Sequence, residues 1–213
     1  KSSALAELFV CGKRENAMDL LQECAQEFDR LLEIEYHITA GRKRKTVSFI
    51  ISFARSDFHH LAGLHKLRDN AKVGRGRRET IFLDILQGKL TLEQIQRSAF
   101  FPQMGSRLIY LAHLEQFLDS NELIFRYNSR ANLFSGIEAD YLLENHVDGT
   151  PVYLFLVQES ETDKERHVCR TFFPKLELDY AQGQPKYTLL KKEKHHLKTG
   201  EVVVQYDRLS PKG

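Results

Sequence analysis

The stretch Ile137-Glu138-Ala139-Asp140-Tyr141-Leu142-Leu143, followed after an Asp148-Gly149 turn by Val152-Tyr153-Leu154-Phe155-Leu156-Val157, decides the fold class of this 213-residue chain. In the first segment Ile137, Ala139, Tyr141 and Leu143 alternate with Glu138 and Asp140, the period-two signature of a strand. The second is apolar on both faces, as a central strand would be. Upstream, Leu123, Phe125 and Tyr127 alternate with Ile124 and Arg126; downstream, strands are expected at 167–173, 186–190 and 201–206. From Ser120 onward the period is two, and the expected structure is an antiparallel sheet.

Before Ser120 the period is mostly helical. A long helix is expected over 104–118, preceded by Pro102 and carrying Leu108, Leu111, Leu114 and Leu118. Thr91 and Gln94 have capping-box spacing for a short helix through Arg97, and Ile81, Phe82 and Ile85 mark one over 79–87 that stops at Gly88. Further back, Ile34, Tyr36 and Ile38 alternate in one strand and Val47, Phe49, Ile51 and Phe53 in another, joined through Gly41-Arg42-Lys43-Arg44-Lys45 as a hairpin with a basic tip. Asn16 is the expected cap of a helix with Met18, Leu21, Cys24, Ala25, Phe28, Leu31 and Leu32 on its apolar face. Ala4 to Val10 is either a separate helix or the first turns of that one. The reading is α+β, one domain over 1–213: an N-terminal helical segment (1–33), a hairpin and helices (34–119), and an antiparallel sheet (120–213). No glycine-rich turn joins a strand to a helix, which excludes Rossmann and P-loop sites.

Hydrophobic residues make up 42% and charged residues 28% of the chain, which excludes disordered and collagen-like classes. The longest apolar run, 152–157, falls far short of the ~20 residues that cross a bilayer, so no membrane partner is expected. Lys1 stands where an initiator Met would, without a charged-then-apolar leader, and is read as a processed or trimmed start. Cys11, Cys24 and Cys169 are odd in number and lack CxxC spacing, which indicates reduced, buried thiols in a cytoplasmic setting. Thirty-one Lys and Arg against 29 Asp and Glu leave a net charge of +2. The cations are clustered, however: Arg42 to Lys45, Lys72 to Arg78, and Lys191 to Lys198. Such runs are solvated loops or phosphate contacts, and Gly74-Arg75-Gly76-Arg77-Arg78 suits the second role.

Phe58-His59-His60-Leu61-Ala62-Gly63-Leu64-His65-Lys66 is the densest cluster of groups titrating near neutrality. Adjacent His59 and His60 diverge, and His60 and His65 are five apart, so the spacing disfavours zinc. Either Phe58, Leu61 and Leu64 anchor the segment while the histidines satisfy backbone groups, or a histidine serves as general acid or base. Arg107 projects into the apolar arc of its own helix, between Leu114 and Leu118. It either binds an anion, helped by free N–H groups of the first turn, or pairs internally with Glu115 or Asp140. Glu138 and Asp140 read as the exposed side of an edge strand, and Arg170 and Thr171 as opposite faces of a late strand. Phe100, Phe101, Phe172 and Phe173 are core residues or base-stacking platforms.

Phe58 to Leu64, with Lys66 and Leu67, resembles the Phe-x-His-Leu-x-Gly-Leu signature of a phage and mobile-element nuclease family, the fourth phage-associated subfamily of the Barnase, EndoU, colicin and RelE-like superfamily. Arg107-Leu108, Ser135 to Leu143 and Tyr153 to Leu156 resemble its later blocks, and the likeness spans about 34–190. The resemblance implies helices followed by an antiparallel sheet, and metal-independent, cofactor-free cleavage of RNA. It makes His60 the acid or base, with His59 as understudy, Lys66 and Arg107 phosphate stabilisers, and Ser135 and Thr171 hydrogen-bond donors. Arg42, Lys43, Arg44, Lys45, Arg75, Arg77 and Arg78 are the expected RNA contacts. A toxin or effector role would bring an immunity or antitoxin protein as partner. The alternative is an inactive RNA- or protein-binding module of the same fold.

Overall fold

The computed structural model describes residues 19–120, 123–131 and 135–211. Asn16, Cys11 and the 4–10 segment lie outside them. The first helix, α1 (Leu20–Leu31), is capped by Asp19, whose Oδ1 accepts from the N–H groups of Leu21 (2.9 Å) and Gln22 (3.2 Å). Asp19 Oδ2 accepts from Leu92 N at 2.7 Å, so one carboxylate ties together two distant helix starts. Leu21, Cys24, Ala25, Phe28 and Leu31 form the buried stripe.

Strands β1 (Ile34–Arg42) and β2 (Lys45–Ser52) form the expected hairpin. Six short helices follow: α2 (Phe58–Leu61), α3 (Ala71–Gly74), α4 (Arg78–Leu86), α5 (Leu92–Gln96), α6 (Gly105–Leu111) and α7 (Leu114–Asp119), α5 with the Thr91–Gln94 capping box. The long helix expected over 104–118 is thus two. No proline or glycine marks the break; side chains from later strands hold the second piece in its own direction. Lys192 Nζ donates to the carbonyls of Leu118 and Ser120, Asn145 Nδ2 to that of Phe117 (2.7 Å), and Lys194 pairs with Glu115 and Asp119.

The remaining strands are β3 (Leu123–Arg126), β4 (Tyr141–Val147), β5 (Thr150–Gln158), β6 (Arg166–Pro174), β7 (Lys186–His196) and β8 (Val202–Asp207). β4 begins at Tyr141, not Ile137: residues 137–140 alternate because Ile137 and Ala139 pack on the sheet, not because they pair in it. The hairpin and the C-terminal strands are also one structure. The order β1-β2-β6-β5-β4-β3-β7 closes through β7–β1 into a barrel, with β8 added to β7. β2 pairs with β6 in parallel, Ile50 opposite Arg166 and Ser52 opposite Val168, so the sheet is mixed and not purely antiparallel. Closure satisfies strand edges that separate sheets would leave open.

Two apolar clusters occupy the two sheet faces. The larger packs the helices on one side; the smaller (Phe125, Tyr127, Leu142, Tyr153 and Phe155) lies on the other under Ile137, Phe173 and Tyr180. Beyond Val168, β6 outruns the end of β2, and α2 and α6 pack against it there.

Candidate active site

Where α2 and α6 meet the second half of β6, a cleft of about 510 Å³ opens. Phe58, Leu61 and Leu64 are fully buried and fix the histidine-rich segment to the core. Its chain turns back at Gly63, where φ is +77. The following 3-10 turn (Leu64–Lys66) returns His65 to His60, their rings 4.7 Å apart, and places both with Lys66 on the cleft.

The two adjacent histidines divide the roles left open by the sequence. His59 is buried and its Nε2 donates to the Val73 carbonyl at 2.8 Å, leaving Nδ1 a lone-pair site without a partner among the described residues. It does not line the cleft, whereas His65 does. His60 does line it. Burial lowers its pKa to about 4, reinforced by Arg78, Arg170 and His59. His65, exposed at the cleft, is lowered to about 4 by partial burial and by His60, Arg107 and Lys66. Lys66, whose Nζ donates to the Gln103 carbonyl at 3.2 Å, is lowered to about 8 by burial and by Arg107.

Arg107 is 8% exposed and carries no carboxylate partner among the described residues. The two expected partners are taken, Glu115 by Lys194 and Asp140 by Arg126. Its Nη1 donates to Thr171 Oγ1 at 3.0 Å and its guanidinium lies 5.2 Å from the Phe173 ring centroid. Its own N–H is bonded to the Met104 carbonyl at 2.9 Å, so anion attraction rests on the guanidinium and not on a free helix end. Burial lowers its pKa to about 10. A buried cation without a counter-ion is costly, and an incoming anion relieves that cost.

A β-bulge completes the site. Phe155 faces Thr171 and Leu156 faces Cys169, so Arg170 is an extra residue in β6. The buried positions shift accordingly, from 167 and 169 to 172 and 174. Arg170 and Thr171, expected on opposite faces, therefore both line the cleft. Phe172 is core, whereas Phe173 lines the cleft.

Ser135 stands behind the cleft: its Oγ bonds Tyr127 Oη at 3.0 Å and accepts from Ile137 N at 3.1 Å, holding the segment that presents Glu138. Arg78, at the start of α4, is close enough to shift His60; Arg77 pairs with Glu79 at 3.6 Å, and Arg75 is exposed. Arg42 to Lys45 lie elsewhere. In β2–β6 register Lys45 precedes the level of Thr171 by ten residue steps, roughly 30 Å along the strands. The Lys191–Lys198 run is committed internally or to surface pairs: Lys191 to Glu193, Lys194 to Glu115 and Asp119, Lys198 to Glu33, and Lys192 to carbonyls. Cys24 and Cys169 are buried, and burial pushes both thiols up, away from nucleophilic use.

The residues missed are His65, Arg170, Glu138 and Tyr180, all on the cleft. Density of titratable groups could have raised His65; a bulge and an irregular segment left no local signal for the others. Among the described residues, no three His, Cys, Asp or Glu are grouped to hold a metal, and no helix is long and apolar enough to cross a membrane. A family model described as phage-Barnase-EndoU-ColicinE5/D-RelE like nuclease4 matches residues 20–209. No curated protein and no solved structure matches the chain.

Proposed function

Because the chain belongs to that phage-associated nuclease family, we propose that its cleft cleaves RNA by acid–base transesterification without a metal. The observation that carries this reading is Arg107, a buried guanidinium without a carboxylate partner among the described residues, on the same cleft as His60, His65 and Lys66.

RNA carries its own nucleophile. A base removes the 2′-OH proton, O2′ attacks phosphorus, and the P–O5′ bond breaks as an acid gives O5′ a proton. The products are a 2′,3′-cyclic phosphate and a 5′-hydroxyl. His60, neutral at pH 7 because its pKa is lowered to about 4, suits the base. Lys66, lowered to about 8, still carries a proton at pH 7 and suits the acid. Arg107 and Arg170 face the phosphate oxygens, and the Thr171 hydroxyl, accepting from Arg107, keeps its own O–H to donate. His65 lies against His60 with the rings tilted by 45° and limits how the His60 imidazole can turn.

The family's phage association supports a toxin or effector role against cytoplasmic RNA, with an immunity or antitoxin protein as its counterpart. Incubation of the protein with total RNA in EDTA tests the chemistry. The expected result is cyclic-phosphate ends, with His60→Ala and Arg107→Ala each lowering the rate by ~10²-fold or more. Intact RNA under all conditions would overturn the activity, and RNA binding without products would favour the inactive-module reading. Cleavage abolished by EDTA would overturn the metal-free mechanism.

A further inference from the structure

Six cations that the cleft does not use converge at the hairpin end of the barrel. Arg42, Lys43, Arg44 and Lys45 come from the β1–β2 turn, Lys186 from the start of β7 and Arg208 from just past β8. Together they line a groove of about 650 Å³ that contains no acidic residue. None of the six pairs with a carboxylate among the described residues. Several other surface cations on this nearly neutral protein are paired: Lys191 with Glu193, Lys198 with Glu33, Arg166 with Glu35, Arg97 with Glu93.

The turn itself is built in an unusual way. Lys43 (φ 49) and Arg44 (φ 65) both hold the left-handed conformation that a two-residue hairpin turn normally gives to Asn or Gly. Two long cationic side chains sit where a smaller residue would be conformationally cheaper. Gly41 lets Leu190 lie across the floor, since a Cβ there would meet Leu190 Cδ1 at 2.9 Å. Thr46 and Thr188 add hydroxyl donors beside the cations. A cationic, donor-lined groove with an apolar floor suits a phosphodiester backbone running past it.

We propose that this groove is a second nucleic-acid site, holding the backbone of an RNA whose scissile phosphate lies in the cleft; it rests on the reading of the cleft as RNA-cleaving. Two sites separated by roughly ten strand residues favour long RNA, because binding at one raises the effective concentration at the other.

The test uses a labelled 30-nucleotide RNA methylated at every 2′-oxygen, which lacks the nucleophile and stays intact, followed by fluorescence anisotropy across a salt titration. Replacing Arg42, Lys43, Arg44 and Lys45 together by Gln should weaken binding at least tenfold. It should also reduce the slope of log affinity against log salt by about 3, at ~0.7 per lost phosphate contact. A charge-keeping variant, Arg42→Lys, Lys43→Arg, Arg44→Lys and Lys45→Arg, should retain both. Affinity and slope unchanged in the Gln variant would overturn the proposal. So would tighter binding of poly-glutamate than of the RNA, which would mark an acidic protein face. Cleavage of unmodified RNA is scored separately, so failure of the chemistry and failure of the groove are told apart.

Discussion

At Gly63 the backbone has φ +77, and a Cβ there would lie 2.9 Å from Met104 Cβ and 3.2 Å from Arg107 Cδ. Glycine thus meets two demands: the turn that returns His65 to His60, and the close approach of that turn to α6. Gly63→Ala adds a left-handed penalty of about 1–2 kcal/mol and pushes on a Cβ, not on a flexible side-chain tip. Urea denaturation should show a loss of at least that size, with the proposed RNA cleavage falling in parallel as Arg107 is displaced. An unchanged midpoint would mean the helices separate freely. His59 and His60 show what was legible at this scale. The sequence identified the segment and the rival roles, but side chains about 100° apart on a single turn can face core or cleft, and only the neighbours Val73 and Arg170 decide which.

Elements whose cause is local were legible: the stripe of α1, the alternation of β1 and β2, the capping box of α5. Elements decided by distant partners were not. The α6–α7 break depends on Lys192, Asn145 and Lys194, and the β6 bulge depends on register against β5. Lys192 is the informative position. It is buried, and its ammonium takes the Leu118 and Ser120 carbonyls at the end of α7. Lys192→Met keeps the apolar stem and removes the donor, leaving those carbonyls without it. A loss of about 1–3 kcal/mol in unfolding free energy is expected, and a variant as stable as the parent would show that the second helix holds its direction by packing alone.

Across the whole molecule, burial lowers the pKa values of several cationic groups. His59, His60 and His65 are lowered from an ordinary 6.5, the latter two to about 4, and Lys66 and Lys192 from 10.5 to about 8. A folded-state value below the unfolded one means the unfolded chain binds more protons between the two, so stability rises with pH across that window. The penalty these groups place on the fold is therefore relieved progressively from about pH 4 to 6.5 and again from 8 to 10.5. Asp57 opposes the first rise, because burial lifts it from 3.8 to about 6. Denaturation midpoints should be higher at pH 7.5 than at pH 5, and pyrophosphate should raise the midpoint more at pH 5, where the cleft imidazoles gain protons on binding it. Equal rescue at both pH values would separate the lowered histidines from the anion site.

Ring closure joins residues 34–41 of β1 to 188–196 of β7, and the cleft unites His60 with Arg170, Thr171 and Tyr180. On the ribosome these halves emerge at different times. His60 is translated 110 residues before Arg170, so the cleft cannot assemble on an early nascent chain. Under the proposed activity, the message and ribosome producing the chain are spared until β6 and the segment carrying Tyr180 have emerged.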